Sequence, residues 1–311
     1  MSRKTKRPNW TADLRIGRSQ KPGEALYDLD RFSDGNIQQW QSYGLAVRDF
    51  HYALFFDLEG QRAARHKELR RALQRSQPIT VPLHGWCRLV NFKFALEALS
   101  PAGSLRWVGQ RFNFGGEIDP GLFAPFPALY LAENFETAFR EYHGLPQYKQ
   151  RNGLSPEELD LEDRGSWASV QLAGSVSNVF DLTKASNLRS MCRIISKFNL
   201  SDRVKRLAVK ARKPIPILVK TPTELLNSFM SIDWKSWPVH FDVPANSQVF
   251  AKMIVDAGFE AILYRSVKGS GKCLAVFTRQ MVNSDSRIAL DEGYPPHVRF
   301  VEINATNCLE I

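Results

Sequence analysis

The chain has 311 residues, 43% of them hydrophobic and 24% charged, and a formal net charge of +10. This is the make-up of an ordinary soluble globular protein with a real core, in one large domain or two modest ones. No apolar run approaches bilayer length, and the basic start (Met1 to Pro8) lacks a secretion signal's apolar stretch, so a cytoplasmic home without membrane contact is expected. Cys87, Cys192, Cys273 and Cys308 form no CxxC pair and the six His form no HExxH, which argues against zinc, a disulfide framework and metal-assisted hydrolysis. The excess of Lys and Arg fits nucleic acid, a pyrophosphate pocket or an acidic partner equally well.

In chain order, residues 1 to about 22 read as a basic tail. Residues 36–75 turn helical, with an apolar segment around Phe50, Leu54 and Phe55 and then an amphipathic helix whose outer face carries Arg62, Arg65, Lys67, Arg70, Arg71 and Arg75. That face is a solvated surface first and a docking surface for an acidic partner or nucleic acid second. Ser76-Gln77-Pro78 and Pro82 place a boundary near residue 80, giving a tail and helical region at 1–80 and a second domain at 81–311. Residues 127–132 predict a strand. Asn134 then caps a helix whose apolar side is Phe135, Ala138, Phe139 and Tyr142. Residues 179–182 predict another strand, and Asn246 or Ser247 caps a helix stopped by Gly258. Residues 259–264 and 273–278 predict two strands joined by the loop Lys268-Gly269-Ser270-Gly271-Lys272. Charged stretches at 143–170 and 184–213 read as insertions, the latter helical. Irregular order of this kind predicts an α+β fold.

Three segments place reactive groups beside apolar elements. Arg88 follows Trp86-Cys87, and Arg111 and Asn113 lie within Trp107 to Gly116. Two guanidiniums there would make a rigid fork for phosphate oxygens, with the glycines admitting ligand to the backbone; surface charges beside core aromatics are the plain alternative. Tyr130 sits on the 127–132 strand and Glu141 one turn beyond Thr137, off the apolar stripe and able to face a cleft. Ser266 ends the 259–264 strand, as a ribose or phosphate contact or as a turn former.

Together the runs Gly109-Gln110-Arg111-Phe112-Asn113, Ala128 to Glu133 with Glu136, Thr137, Ala138 and Glu141, and Gly258 to Ser266 resemble the RES domain family, over roughly residues 84–280. The resemblance implies an ADP-ribosyltransferase-like core of short strands in two packed sheets with flanking helices. It implies an enzyme that cleaves the nicotinamide–ribose bond of NAD by hydrolysis or phosphorolysis, as the toxin of a bacterial toxin–antitoxin module whose helix-turn-helix antitoxin blocks the active site. It assigns catalysis to Glu141, Arg111, Tyr130 and Ser266, and NAD binding to Arg88, Arg111, Tyr130, Ser266 and Asn113. NAD is then substrate and no cofactor is expected; the chain has no GxGxxG of Rossmann type. Lys272-Cys273 departs from the family, which often has Asn there, and an extended Glu117–Pro127 loop follows the glycines. ADP-ribosylation of a protein is the alternative activity, and nucleic-acid binding by an inactive fold the alternative from another class.

The chemistry suits these residues. Breaking the nicotinamide–ribose bond leaves an oxocarbenium-like ribose. The leaving group is already a pyridinium and departs neutral, so one carboxylate suffices where ordinary glycosidases need two.

Overall fold

The structure, a computed structural model, describes residues 34–119, 121–145 and 166–311. The basic tail expected at 1–22 and most of the insertion expected at 143–170 lie outside these residues. Helix α1 (Asp34–Ala64) is followed by α2 (His66–Gln74), and the chain then enters β1 (Ile79–Pro82) and β2 (Trp86–Asn91). A 3-10 turn (Phe92–Glu97) and an irregular stretch lead to β3 (Leu129–Ala132) and α3 (Phe135–His143). After β4 (Trp167–Asp181) come four helices: α4 (Arg189–Ile195), α5 (Asp202–Lys210), α6 (Pro222–Phe229) and α7 (Ser236–Phe241). Helix α8 (Asn246–Asp256), strands β5 (Ala261–Arg265), β6 (Lys272–Val276) and β7 (Arg287–Leu290), and the short β8 (Glu302–Ile303) complete the α+β fold.

All eight strands belong to one sheet, and β4 organises it. Its first half pairs with β2, Trp167 opposite Asn91 through Leu172 opposite Trp86. Its last three residues pair in parallel with β5, Val179 opposite Ala261. Because β5 continues through β6 and β3 back to β2, the short strands close into a ring. Alternation then sorts the side chains. Val90, Leu129, Leu131, Val170, Leu172, Leu263 and Leu274 fill the inside, while Cys87, Leu89, Ala132, Ile262, Tyr264 and Cys273 face the helices. That outer face is covered by Phe139 of α3, Met191 of α4, Phe229 of α6 and Phe250 of α8. Burying each such side chain contributes roughly 1.5–3 kcal/mol.

Helix α1 lays Ala46, Phe50 and Leu54 on Val204 and Ala208 of α5. Helix α2 buries Leu69, Ala72 and Leu73 and leaves Lys67, Arg70, Arg71 and Arg75 in solvent. The helices before residue 80 therefore share cores with the charged stretch at 184–213, which is indeed helical.

Several sequence expectations need correction. The strand expected at 179–182 is the end of one 15 residues long. The part before residue 179 is not legible in the sequence because Gly174, the serines and Asn178 interrupt the alternation of Val170, Leu172 and Val176. Neither Asn246 nor Ser247 caps α8: Ala245 is the capping position, and its N–H is taken by the Gln248 carboxamide oxygen from inside the helix. On α3 the inner stripe is Phe135, Phe139 and His143, whose rings touch in series, and Tyr142 is exposed. The side chain at i+8 from Phe135 completes the stripe because the helix runs on to His143 before Gly144 ends it with φ 70°.

Gly174 lies in the middle of β4 with φ 104°, and a Cβ there would meet the Arg287 carbonyl oxygen at 2.1 Å. Gly174→Ala is expected to destabilise the protein by about 2–3 kcal/mol through overpacking and backbone strain. A urea melt would read this as a lower midpoint at unchanged slope.

Candidate active site

Strands β2 and β3 pair at a single position, Cys87 opposite Ala132. Elsewhere each holds its other neighbour, β4 or β6, so the two strands part and leave a notch in the sheet. A cavity of about 680 Å³ occupies it, within the range of small-molecule sites, lined by both faces of the parted strands. Cys87, Ala132 and Cys273 share one cross-strand row, and their small side chains keep the floor low.

Glu141 projects into this cavity from the last turn of α3. The helix is positioned by Asn134, whose side chain accepts the Thr137 N–H, and by the loop after β5. That loop closes on its first turn: Gly271 N–H donates to Thr137 Oγ1, and Lys272 donates to Glu133 through both its backbone N–H and its ammonium. A Cβ at Gly269 would stand 2.9 Å from Thr137 Cα, and one at Gly271 would stand 2.7 Å from Thr137 Oγ1. Only glycines permit this approach. The closure carries Ser266 to Glu141, where its hydroxyl donates to Oε1 at 2.5 Å. Ser266 Oγ also accepts the N–H groups of Lys268 and Gly269. With both its lone pairs engaged, its proton is directed to the carboxylate.

Arg88 and Arg111 line the same cavity. Arg88 spends Nη2 on the Ser100 carbonyl at 3.0 Å, and its buried Nη1 has no partner. Burial pushes its pKa down to about 10, since no carboxylate compensates the lost water. Arg111 donates from Nη1 to the carbonyls of Phe229 and Ser231, at 3.3 and 2.7 Å, and lies 5.8 Å from the Trp234 ring centre. Burial lowers its pKa too, against the attraction of Glu141. A buried guanidinium without an acidic partner favours an anion at these nitrogens.

Tyr130 lines the cavity with its ring, but its hydroxyl is spent. It donates to Asn113 Oδ1 and accepts the Phe112 N–H, both at 2.9 Å. Asn113 is fully buried, and its amide donates to the Ser104 and Phe114 carbonyls. It therefore holds the loop and stays out of the cavity lining. The glycines of this loop also serve the chain itself, which corrects the expectation that they admit ligand. Gly109 (φ 83°) and Gly115 pack backbone to backbone, and a Cβ on Gly115 would sit 2.1 Å from the Gly109 nitrogen. Burial drives the Tyr130 and Tyr264 phenols and the Cys273 thiol upward, and Cys87 to about 11, so all four stay protonated at neutral pH.

Sequence reasoning missed Gln248. Its buried carboxamide nitrogen reaches the carbonyls of Val108, Gln110 and Asn113 at 2.8–3.1 Å, tying the Arg111 loop to α8. The one signal in the sequence is a Gln at the third position of a helix that lacks a good capping side chain. Among the described residues no cluster of His, Cys, Asp and Glu could hold a metal ion, and no helix is long and apolar enough to cross a membrane.

The family model for the RES domain matches residues 195–300. The match includes Ser266, Trp234 and Gln248; Arg88, Arg111, Asn113, Tyr130 and Glu141 precede it. No curated protein matches the chain at a significant level. Among solved structures, a chain of the M. tuberculosis MbcT–MbcA toxin–antitoxin complex is similar over 78% of this chain and 96% of its own, at 15% identity and a TM-score of 0.40.

Gln248→Leu strands the Ala245 N–H and the carbonyls of Val108 and Asn113, and is expected to cost at least about 2 kcal/mol. Chemical denaturation measures this. An unchanged midpoint would mean that the Arg111 loop does not depend on the carboxamide.

Proposed function

We propose that this chain, which carries a RES domain, splits NAD between nicotinamide and ribose, consuming it as substrate. The observation that carries the reading is a carboxylate, Glu141, held by Ser266 in the same cavity as the guanidiniums of Arg88 and Arg111. On this reading the unpartnered Nη1 of Arg88 and the free edge of Arg111 clasp the pyrophosphate and fix the ribose beside Glu141. The glycosidic electron pair passes to the pyridinium nitrogen, and nicotinamide leaves neutral. Positive charge appears on the ribose ring, and the Glu141 carboxylate stabilises it. Water, losing a proton, or phosphate then forms the new bond at C1′.

Ser266 acts by fixing one oxygen of Glu141, which leaves Oε2 for the ribose or the nucleophile. Tyr130 serves as a wall beside the nicotinamide riboside, and its hydroxyl, with Asn113, keeps the Arg111 loop in place. A toxin role, with a helix-turn-helix antitoxin seated over the cavity, belongs to the same reading, as does a cytoplasmic site of action where NAD is abundant.

Purified protein incubated with NAD, with and without phosphate, is expected to release nicotinamide, with the ADP-ribose product identified by mass. Glu141→Gln keeps the side chain's shape and removes its charge, so it is expected to slow release about a hundredfold or more while melting near wild type. Full activity in the folded variant would remove Glu141 from the chemistry. Label appearing on a protein in place of free product would assign ADP-ribosyl transfer.

A further inference from the structure

The cavity extends past Arg88 to an end that the bond-breaking chemistry does not use. There it is lined by Asn91, Phe94, Glu97 and Arg106. Arg106 is exposed, and its guanidinium carbon lies 4.7 Å from the centre of the Phe94 ring. Among the described residues it makes no ion pair; the aromatic face is what holds its plane. Lys93 places its ammonium 5.0 Å from the same ring. The result is a flat, layered surface at the cavity wall, the kind on which planar heterocycles stack.

Two features favour a base over a second phosphate. The Glu97 carboxylate lines this end with Oε1 paired to Arg299 at 3.2 Å, and its second oxygen is placed to accept from an exocyclic amino group. Asn91 uses its side-chain oxygen to cap the 3-10 turn, accepting the Lys93 N–H, which leaves its amide N–H groups to donate to a ring nitrogen.

Resting on the NAD reading of the same cavity, we propose that Arg106, laid on Phe94, is the stacking platform for the purine base of the bound nucleotide. The site thus has a catalytic end at Glu141, an anion grip at Arg88 and a base-recognition end at Arg106.

The test is binding by calorimetry to wild type and Arg106→Lys, with two probes: adenosine diphosphate, which carries the base, and nicotinamide mononucleotide, which lacks it. Lysine keeps the charge and loses the plane. Arg106→Lys is expected to weaken adenosine diphosphate about tenfold relative to its effect on nicotinamide mononucleotide. Equal losses for the two probes, an unaffected affinity for adenosine diphosphate, or no binding of it by wild type would each overturn the proposal. Arg106-dependent binding of adenosine diphosphate by a wild-type protein that releases no nicotinamide would uphold the platform and sink the NAD-splitting reading alone.

Discussion

The closure of the 268–272 loop on the first turn of α3 is the contact on which the site depends. It joins two elements that are distant in sequence, at the end of the ladder in which β3 pairs with β6. The donors that cross the interface find partners: Gly271 N–H on Thr137, and Lys272 on Glu133. A turn with unsatisfied donors would be costly to bury. A turn with side chains at 269 or 271 would not fit against Thr137. Ser266 therefore has one place to send its proton. The Glu141 carboxylate is oriented by hydrogen bonding that begins in backbone geometry, which is the preorganisation that electrostatic stabilisation of a cation requires.

The two arginines are held in opposite ways. Arg111 is tethered by carbonyls of the Phe229–Ser231 segment, so its loop and that segment position each other. Arg88 has one carbonyl partner and one buried nitrogen with none. In water such a nitrogen would be solvated, and in a dry wall it costs free energy until an acceptor arrives. The cavity holds this positive charge with two carboxylates, Glu141 and Glu97, in its lining. The arginines on the outer face of α2 lie in solvent, and those at the cavity are turned inward.

What the sequence disclosed was local. The Asn134 cap, the helix stripe through Phe135 and Phe139, the Gly258 stop and the β5 and β6 segments all depend on neighbours within one or two turns, and each has a short-range signal. The order of Arg88, Arg111, Tyr130, Glu141 and Ser266 gave the cast of the cavity. Their jobs were less visible. Whether a tyrosine hydroxyl is free or spent depends on Asn113, 17 residues away, and Asn113 in turn sits in a loop fixed by Gln248, 135 residues further on. The glycines at 109 and 115 carry the same signature for ligand approach as for self-packing, and only their neighbours distinguish the two. The part of β4 before residue 179 is not legible because its identity as a strand comes from β2 and β7 on either side.

The segment that the family model matches, residues 195–300, meets the residues before it along one strand pair. Strand β3 pairs with β6 over four consecutive positions, Leu129 opposite Val276 through Ala132 opposite Cys273. A shift of one residue would turn Tyr130 into the inner core and Leu131 toward the helices, so register is set by burial on both faces. Once β6 is placed, β3 is placed, and α3 follows after two residues with Glu141 on its last turn. The matched segment supplies Ser266, Gln248 and the carbonyls that hold Arg111. The residues before it supply the carboxylate and both guanidiniums. The cavity's groups come from both, and the β3–β6 register fixes the distance between them.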